Sequence, residues 1–184
     1  MTSGHVFIAT SLDGFIARPD GALDWLPQGG AEDYGYADFI ARMDGIVMGR
    51  ASYETVRGFG DWPYELPVIV LSHTLPPGPV EGTTAEVLSA PPEQVMAELA
   101  SRGWERAYVD GGAVIRDFLA AGLIEEIVLT RVPVLLGAGL PLFGALDGDL
   151  TLTHEATRSW PSGLVQSRYH VPEPRGILPE MQGS

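Results

Sequence analysis

Three short stretches place small or anion-holding residues where an apolar run gives way to a helical pattern: Met48-Gly-Arg-Ala-Ser-Tyr53, Leu71-Ser-His-Thr74 and Asp110-Gly-Gly-Ala113. A helix N-terminus presents backbone amides that have no intrahelical acceptor, and the helix dipole adds positive potential there. Glycine at Gly49, Gly111 and Gly112 lets a ligand approach the backbone, and Arg50 adds a planar, permanent cation suited to phosphate. Each stretch alone is compatible with an ordinary tight turn, and none is the Gly-x-Gly-x-x-Gly fingerprint or a Walker loop. Three together in one short chain predict a nucleotide site, since ligands of open α/β sheets settle outside the carboxyl ends of the strands.

Other chemistries find little support. The chain has no cysteine, which removes disulfides, thiolate metal sites and cysteine nucleophiles. His5, His73, His154 and His170 lie far apart, with no spacing that suggests a metal. No Gly-x-Ser-x-Gly elbow or His-Glu-x-x-His helix occurs, so hydrolase readings lack a motif. The formal charge is −13 and the basic residues are scattered singly, so no nucleic-acid partner is expected. An anionic nucleotide must then be held by local donors, not by the field of the whole molecule.

The elements that position these residues read as about eight strands and four helices, the alternation of an α/β sheet. Residues 5–10, 45–48, 67–71, 84–88, 106–109 and 126–132 are short apolar strands, several of them apolar enough for burial on both faces. Helices are expected over 32–43, from 51, over 92–102 and from 110 to 121, the third with proline at its start and Gly103 past its end. Residues 150–157 and 164–171 form a hairpin around Trp-Pro-Ser-Gly, which makes the sheet mixed. The long Gly-, Pro- and Asp-rich stretch from Ser11 to Gly30 is expected to be a functional loop.

The 184 residues fit one domain over 1–171, with a disordered tail over 172–184. No uninterrupted apolar run reaches the roughly 18 residues of a membrane span, and the start lacks signal-peptide features. A cytoplasmic protein with no membrane partner is expected. The apolar stretches 132–137 and 141–143 are expected to lie exposed at a sheet end, where they would support a homodimer.

In order and content these segments resemble the dihydrofolate-reductase-like superfamily, and more narrowly the reductase domain of the bifunctional deaminase–reductase of riboflavin synthesis and its stand-alone relatives. The likeness is carried by residues 7–17, Leu23-Asp-Trp25, Asp33-Tyr-Gly35, residues 44–54, Val70-Leu-Ser72, Tyr108-Val-Asp-Gly-Gly112, residues 129–137 and Pro141-Leu-Phe143. It implies a three-layer α/β/α fold with a mixed, mostly parallel sheet. It also implies NADPH as the hydride donor to a small heterocyclic, pterin- or pyrimidine-like, or carbonyl substrate. The zinc-binding deaminase half has no counterpart here. A domain that kept the cradle and lost the chemistry is the alternative.

The resemblance maps the site residue by residue. Backbone groups of Ala9 and Ile16 would hold the nicotinamide carboxamide, and Gly49, Arg50, Ala51 and Ser52 would cap phosphates. Arg50, with Ser72 or His73, would stand near the adenosine 2′-phosphate, while Leu71, Ser72 and His73 line the adenine end. Gly111, Gly112, Ala113, Val114 and Ile115 would cradle the pyrophosphate. Trp25 would cover the substrate or anchor its loop, and Tyr34 and Thr130 would touch the substrate. Asp33 would be the proton donor, with a pKa raised by desolvation, or else the cap of the first helix.

Overall fold

The computed structural model describes residues 1–27 and 32–172. The end of the long loop and the expected tail beyond 172 lie outside those residues. The described chain forms, in order, β1 (Ser3–Ser11), β2 (Phe15–Ala17), α1 (Tyr36–Ile40), β3 (Gly45–Gly49), α2 (Arg50–Gly58), β4 (Val68–Leu71), β5 (Gly78–Pro79), β6 (Ala85–Leu88), α3 (Pro92–Ser101), β7 (Arg106–Asp110), α4 (Gly112–Ala120), β8 (Ile124–Val132), β9 (Leu140–Pro141), β10 (Thr153–Ser159) and β11 (Val165–His170).

Nine strands make one sheet in the order β10-β11-β8-β1-β7-β3-β4-β6-β5, and β2 pairs with β9 in a small separate ladder. The pairs from β8 through β1, β7, β3 and β4 to β6 are parallel, and β11, β10 and β5 add antiparallel edges. The eight expected strands are all present, with the hairpin strands starting later than the pattern suggested. The three additions, β2, β5 and β9, are two or three residues long and lie in Gly- and Pro-rich segments with no alternation to reveal them.

The central strands are apolar on both faces because both faces are covered. Alternate residues of one strand serve different layers: Val47 and Val109 pack with Val95, Leu99, Ile115 and Phe118 of α3 and α4. Ile46, Met48 and Tyr108 pack with Phe39 of α1 on the opposite face. A wholly buried side chain such as Phe118 contributes about 2–3 kcal/mol of transfer free energy. Helix α2 buries no residue and lies at the periphery, so its placement depends on its junction with β3. Leu135 and Phe143 are exposed as expected, and so is Leu140 between the two stretches, while Val132 and Leu142 from those stretches are buried.

Helix α1 is shorter than its apolar spacing implies. Tyr34 and Gly35 both adopt left-handed backbone, with φ of 54° and 85°, and the helix starts only after them. Residues beyond Ile40 continue in turns, with Arg42 N–H donating to the Phe39 carbonyl.

His5 is wholly buried at the centre of the sheet. Arg106 Nη2 lies 3.2 Å from its Nδ1 and Ser3 Oγ 2.9 Å from its Nε2. A guanidinium only donates, so Nδ1 accepts and the ring is neutral with its proton on Nε2. Burial first, and then the Arg106 charge, lower its pKa from 6.5 to about 4. The neutral ring therefore contributes stability that is complete above pH 6.5 and is lost as the pH falls toward 4. Urea unfolding should register a loss of up to about 3 kcal/mol across that window, and His5→Gln should flatten it. An unchanged slope in that variant would assign the pH dependence to other groups.

Candidate active site

Four strand ends deliver their junctions to one groove of about 470 Å³, lined by residues 49–52, 71–73, 88–92 and 111–114 with Asp117 and Phe118. Helices α2, α3 and α4 all begin there, and none has a side-chain cap. Pro91 and Pro92 have no amide hydrogen to offer, so the free N–H groups come from the first turns of α2 and α4. The β6–α3 junction is a wall that the sequence reading assigned only as a helix start.

Gly111 has a φ of 89°, and a Cβ there would fall 2.5 Å from Ser52 Oγ. The α2 and α4 starts approach so closely that glycine is the residue that fits. Gly112 is similarly tight, since a Cβ would lie 2.5 Å from Ile16 Cδ1. This places Ile16, on β2, against the α4 start, although it does not line the groove.

All the expected cofactor residues line this groove except Ala9, Ile16 and Ile115. Ala9 sits on β1 opposite Thr130, in line with the strand ends. Ile115 is wholly buried, and its N–H already donates to the Gly111 carbonyl at 2.9 Å, so it offers the groove neither a donor nor a surface. The Ser72 hydroxyl is also committed, accepting the N–H groups of Thr74 and Leu75 at 3.1 and 3.0 Å. His73 Nδ1 meets Ser89 Oγ at 2.6 Å, which orients the ring and leaves Nε2 without a partner among the described residues. Arg50 pairs with Glu54 through Nη1 at 3.1 Å, and both side chains are half-exposed.

The loop after β1 is clasped to the segment after β8. Asp13 accepts the N–H groups of Leu136 at 3.1 Å and Gly137 at 2.7 Å, and Ser11 Oγ donates to it at 2.6 Å. The hydrogen bond from Ser11, with those from the two amides, holds the Asp13 carboxyl below its usual range. The β2–β9 ladder reinforces this join. Trp25 follows in the same loop, its indole N–H shielded from solvent with no acceptor among the described residues.

On the α1 face, Asp33 accepts Ala37 N–H at 2.9 Å and Gly35 N–H at 3.0 Å. These bonds lower its pKa, the opposite of the desolvation-raised value expected of a proton donor. The carboxylate is engaged as a cap of the first helix. Tyr34 and Thr130 do come together, through a residue that the sequence reading missed: Gln166 Nε2 donates to Thr130 Oγ1 at 2.9 Å and to the Tyr34 carbonyl at 3.1 Å. Only the pairing of β11 with β8, which sets Gln166 opposite Thr130, could have revealed it.

A second carboxyl, Asp110, stands at the end of β7 next to the Gly111 cradle. Burial raises its pKa, against opposing hydrogen bonds from Gly111 N–H and the Tyr108 hydroxyl. Tyr108 Oη lies 3.3 Å from Asp110 Oδ1 and 3.1 Å from the Phe7 carbonyl. Tyr36, Tyr64 and Tyr108 all have phenol pKa values raised by burial first and then by the Asp110 charge, and the Tyr108 hydroxyl touches the carboxyl directly. A protonated Asp110 could donate to Tyr108, which in turn donates to Phe7. In Asp110-Gly-Gly the glycines shape the groove, and the carboxyl beside them has the perturbed environment.

Known proteins share this fold. A structure from Shewanella sp. PV-4, described as a candidate riboflavin biosynthesis protein, is 40% identical, covers 93% of this chain and 99% of its own, and superposes with a TM-score of 0.86. The diaminohydroxyphosphoribosylaminopyrimidine deaminase/5-amino-6-(5-phosphoribosylamino)uracil reductase of Thermotoga maritima shares the fold at 12% identity, over 93% of this chain and 57% of that one, with a TM-score of 0.73. Dihydrofolate reductase from Enterococcus faecalis, solved with NADP(H), shares it at 18% identity, over 92% and 96%, with a TM-score of 0.64. The model of the RibD C-terminal domain matches residues 3–165. The chain therefore belongs to the RibD C-terminal domain family and carries its dihydrofolate-reductase-like α/β/α fold.

Proposed function

We propose that the protein is an NADPH-dependent reductase acting on a small heterocyclic, pterin- or pyrimidine-like, or carbonyl substrate. The observation that carries this reading is the groove into which α2 and α4 open uncapped, with Asp110 at the strand end beside it. The first-turn amides suit a pyrophosphate, and the cradle around Gly111 is too tight for a side chain. Arg50 and His73 are the donors available to a 2′-phosphate, which favours NADPH over NADH. The dihydrofolate reductase of this fold that was solved with NADP(H) supports the same assignment.

NADPH, when bound, supplies a hydride to the carbon of a C=N or C=O bond, and the heteroatom then needs a proton. We assign that proton to Asp110, whose half-buried carboxyl stays protonated to higher pH than an ordinary one. Asp33 serves α1 and holds Tyr34 in register with Gln166 and Thr130, which orient the substrate's polar edge. We assign Trp25 to the cover of the substrate. Exposed Leu135, Leu140 and Phe143 support a homodimer, and no described helix is long and apolar enough to cross a membrane, which supports the cytoplasm.

A thermal-shift comparison of NADPH, NADH and FMN tests the cofactor, since a ligand stabilises the fold by mass action. NADPH should give the largest shift. Arg50→Ala should weaken it roughly ten- to a hundredfold while leaving NADH unchanged. Equal shifts with FMN would count against the assignment.

For the chemistry, NADPH oxidation is followed with dihydropterin, ribosylaminopyrimidine and carbonyl substrates. Asp110→Asn should lower kcat about 10²–10⁴-fold. Since the acid must be protonated, the wild-type rate should fall as pH rises through the raised Asp110 pKa, and the variant should lack that limb. Asp33→Asn should keep kcat and lower the melting temperature. Wild-type turnover in Asp110→Asn would remove it from the mechanism, and tight NADPH binding with no turnover on any substrate would favour a binding domain.

A further inference from the structure

A second cleft, of about 400 Å³, opens on the α1 face between that helix and strands β8, β11 and β10. It shares no lining residue with the nucleotide groove. Its floor is apolar and partly aromatic, made by Phe7, Phe39 and Val128. Its rim carries Arg42 from α1, Arg158 from β10 and Arg168 from β11.

Arginines scattered singly along the sequence thus converge. The chain has no lysine and a formal charge of −13, yet three of its eleven basic residues meet at this cleft. Arg158 stands opposite Gln166 across the β10–β11 ladder, and Arg168 is two residues further along the same face. Diagonal neighbours of this kind have Cβ atoms roughly 7–8 Å apart, close enough for like charges to repel. Partial compensation is present. Arg168 Nε pairs with Glu155 at 2.8 Å, and Arg42 Nη2 pairs with Glu126 at 3.1 Å.

Arg158 has no carboxylate within ion-pair distance among the described residues. Its guanidinium instead lies 4.7 Å over the Trp160 ring, which Tyr34 meets edge-on at 5.2 Å. The ring holds the guanidinium in place while its N–H groups have no carboxylate partner among the described residues, which suits an oxyanion. Asp38, the carboxylate on the α1 rim, biases an anion toward the β10–β11 side.

We propose that this cleft is a second ligand site, taking a small planar compound that bears one carboxylate or phosphate group. The ring lies on the half-buried Phe7, since Phe39 is 2% exposed and already covered by the Arg42 guanidinium, and the anion lies between Arg158 and Arg168. The cleft meets the proposed substrate pocket at Gln166, which lines it, but the inference does not depend on the reductase reading, because it uses Arg158 and Arg168 and is read by binding alone.

The test is a ligand-observed NMR titration of the full chain with benzoate and with phenyl phosphate, using benzamidine and benzyl alcohol as charge controls. It is run at low ionic strength, with and without saturating NADPH. At least one anion should bind saturably, with the same Kd when NADPH is present, and neither control should bind. The tighter anion identifies carboxylate or phosphate as the group recognised. Arg158→Gln should weaken binding at least tenfold and Arg158→Lys less so. If loss of the Trp160 stack unfolds Arg158→Gln, Arg168→Gln decides, with the same loss expected. The proposal is overturned by absence of saturable binding, by equal affinity in a folded Arg158→Gln or Arg168→Gln variant, or by displacement on adding NADPH. A light-scattering mass of two chains that falls to one in Arg158→Glu, with no anion bound, would also overturn it, since a second copy would then cover the cleft.

Discussion

The hydrogen bonds that seat β7 between β1 and β3, all three strands running the same way, determine where both faces of the sheet end. Parallel strands bring their carboxyl ends to one edge, and the chain order reverses around β7. Side chains alternate along a strand, so the end of β7 serves two compartments at once. Gly111 turns into the groove with Ser52, while Asp110 shares the opposite face with Tyr108. Adjacent residues at one strand end thus meet a nucleotide-sized groove and the Tyr108 phenol. A slip of one residue in this register would exchange the faces of every side chain on the strand.

Two aspartates show how little a carboxyl's identity says about its chemistry. Asp33 accepts two backbone N–H groups and is held ionised, whereas the half-buried Asp110 loses part of its hydration beside Tyr108 and is drawn toward its neutral form. Local geometry decides each case. The cap depends on left-handed turns at Tyr34 and Gly35, and a tyrosine in that conformation is uncommon enough to mark a position held in place by its surroundings. Gln166 grips the Tyr34 carbonyl from the sheet, which supplies such a restraint.

What could be read from residues alone follows the range of the forces involved. The junctions at Gly49-Arg50 and Gly111-Gly112 are local, with strand, turn and helix start contiguous, and they appear where the pattern put them. Buried strands announce themselves through apolar runs. The start of α1 did not, because a capping carboxylate and two left-handed residues outweigh helical spacing. Ile115 matched a family position but points wholly into the core, as its place on the first turn of α4 requires. Gln166, the perturbation of Asp110 and the convergence of Arg42, Arg158 and Arg168 were beyond reach. Each arises from pairing between strands or packing across the sheet, and no short stretch of sequence contains both partners.

The position of β1 also shapes how the molecule is made. It is the first strand of this sheet to be synthesised, yet it lies in the middle of the sheet, and its partners β7 and β8 begin at Arg106 and Ile124. At ribosomal speeds the gap of about a hundred residues corresponds to roughly 5–20 s, during which an apolar strand has neither edge paired. The high sequence separation of these contacts implies slow closure of the sheet even in a full-length chain. During that interval the Val-Phe-Ile segment of β1 is an exposed template for aggregation. Chaperone demand during synthesis is therefore set less by the final stability of the protein than by how long its opening strand must wait.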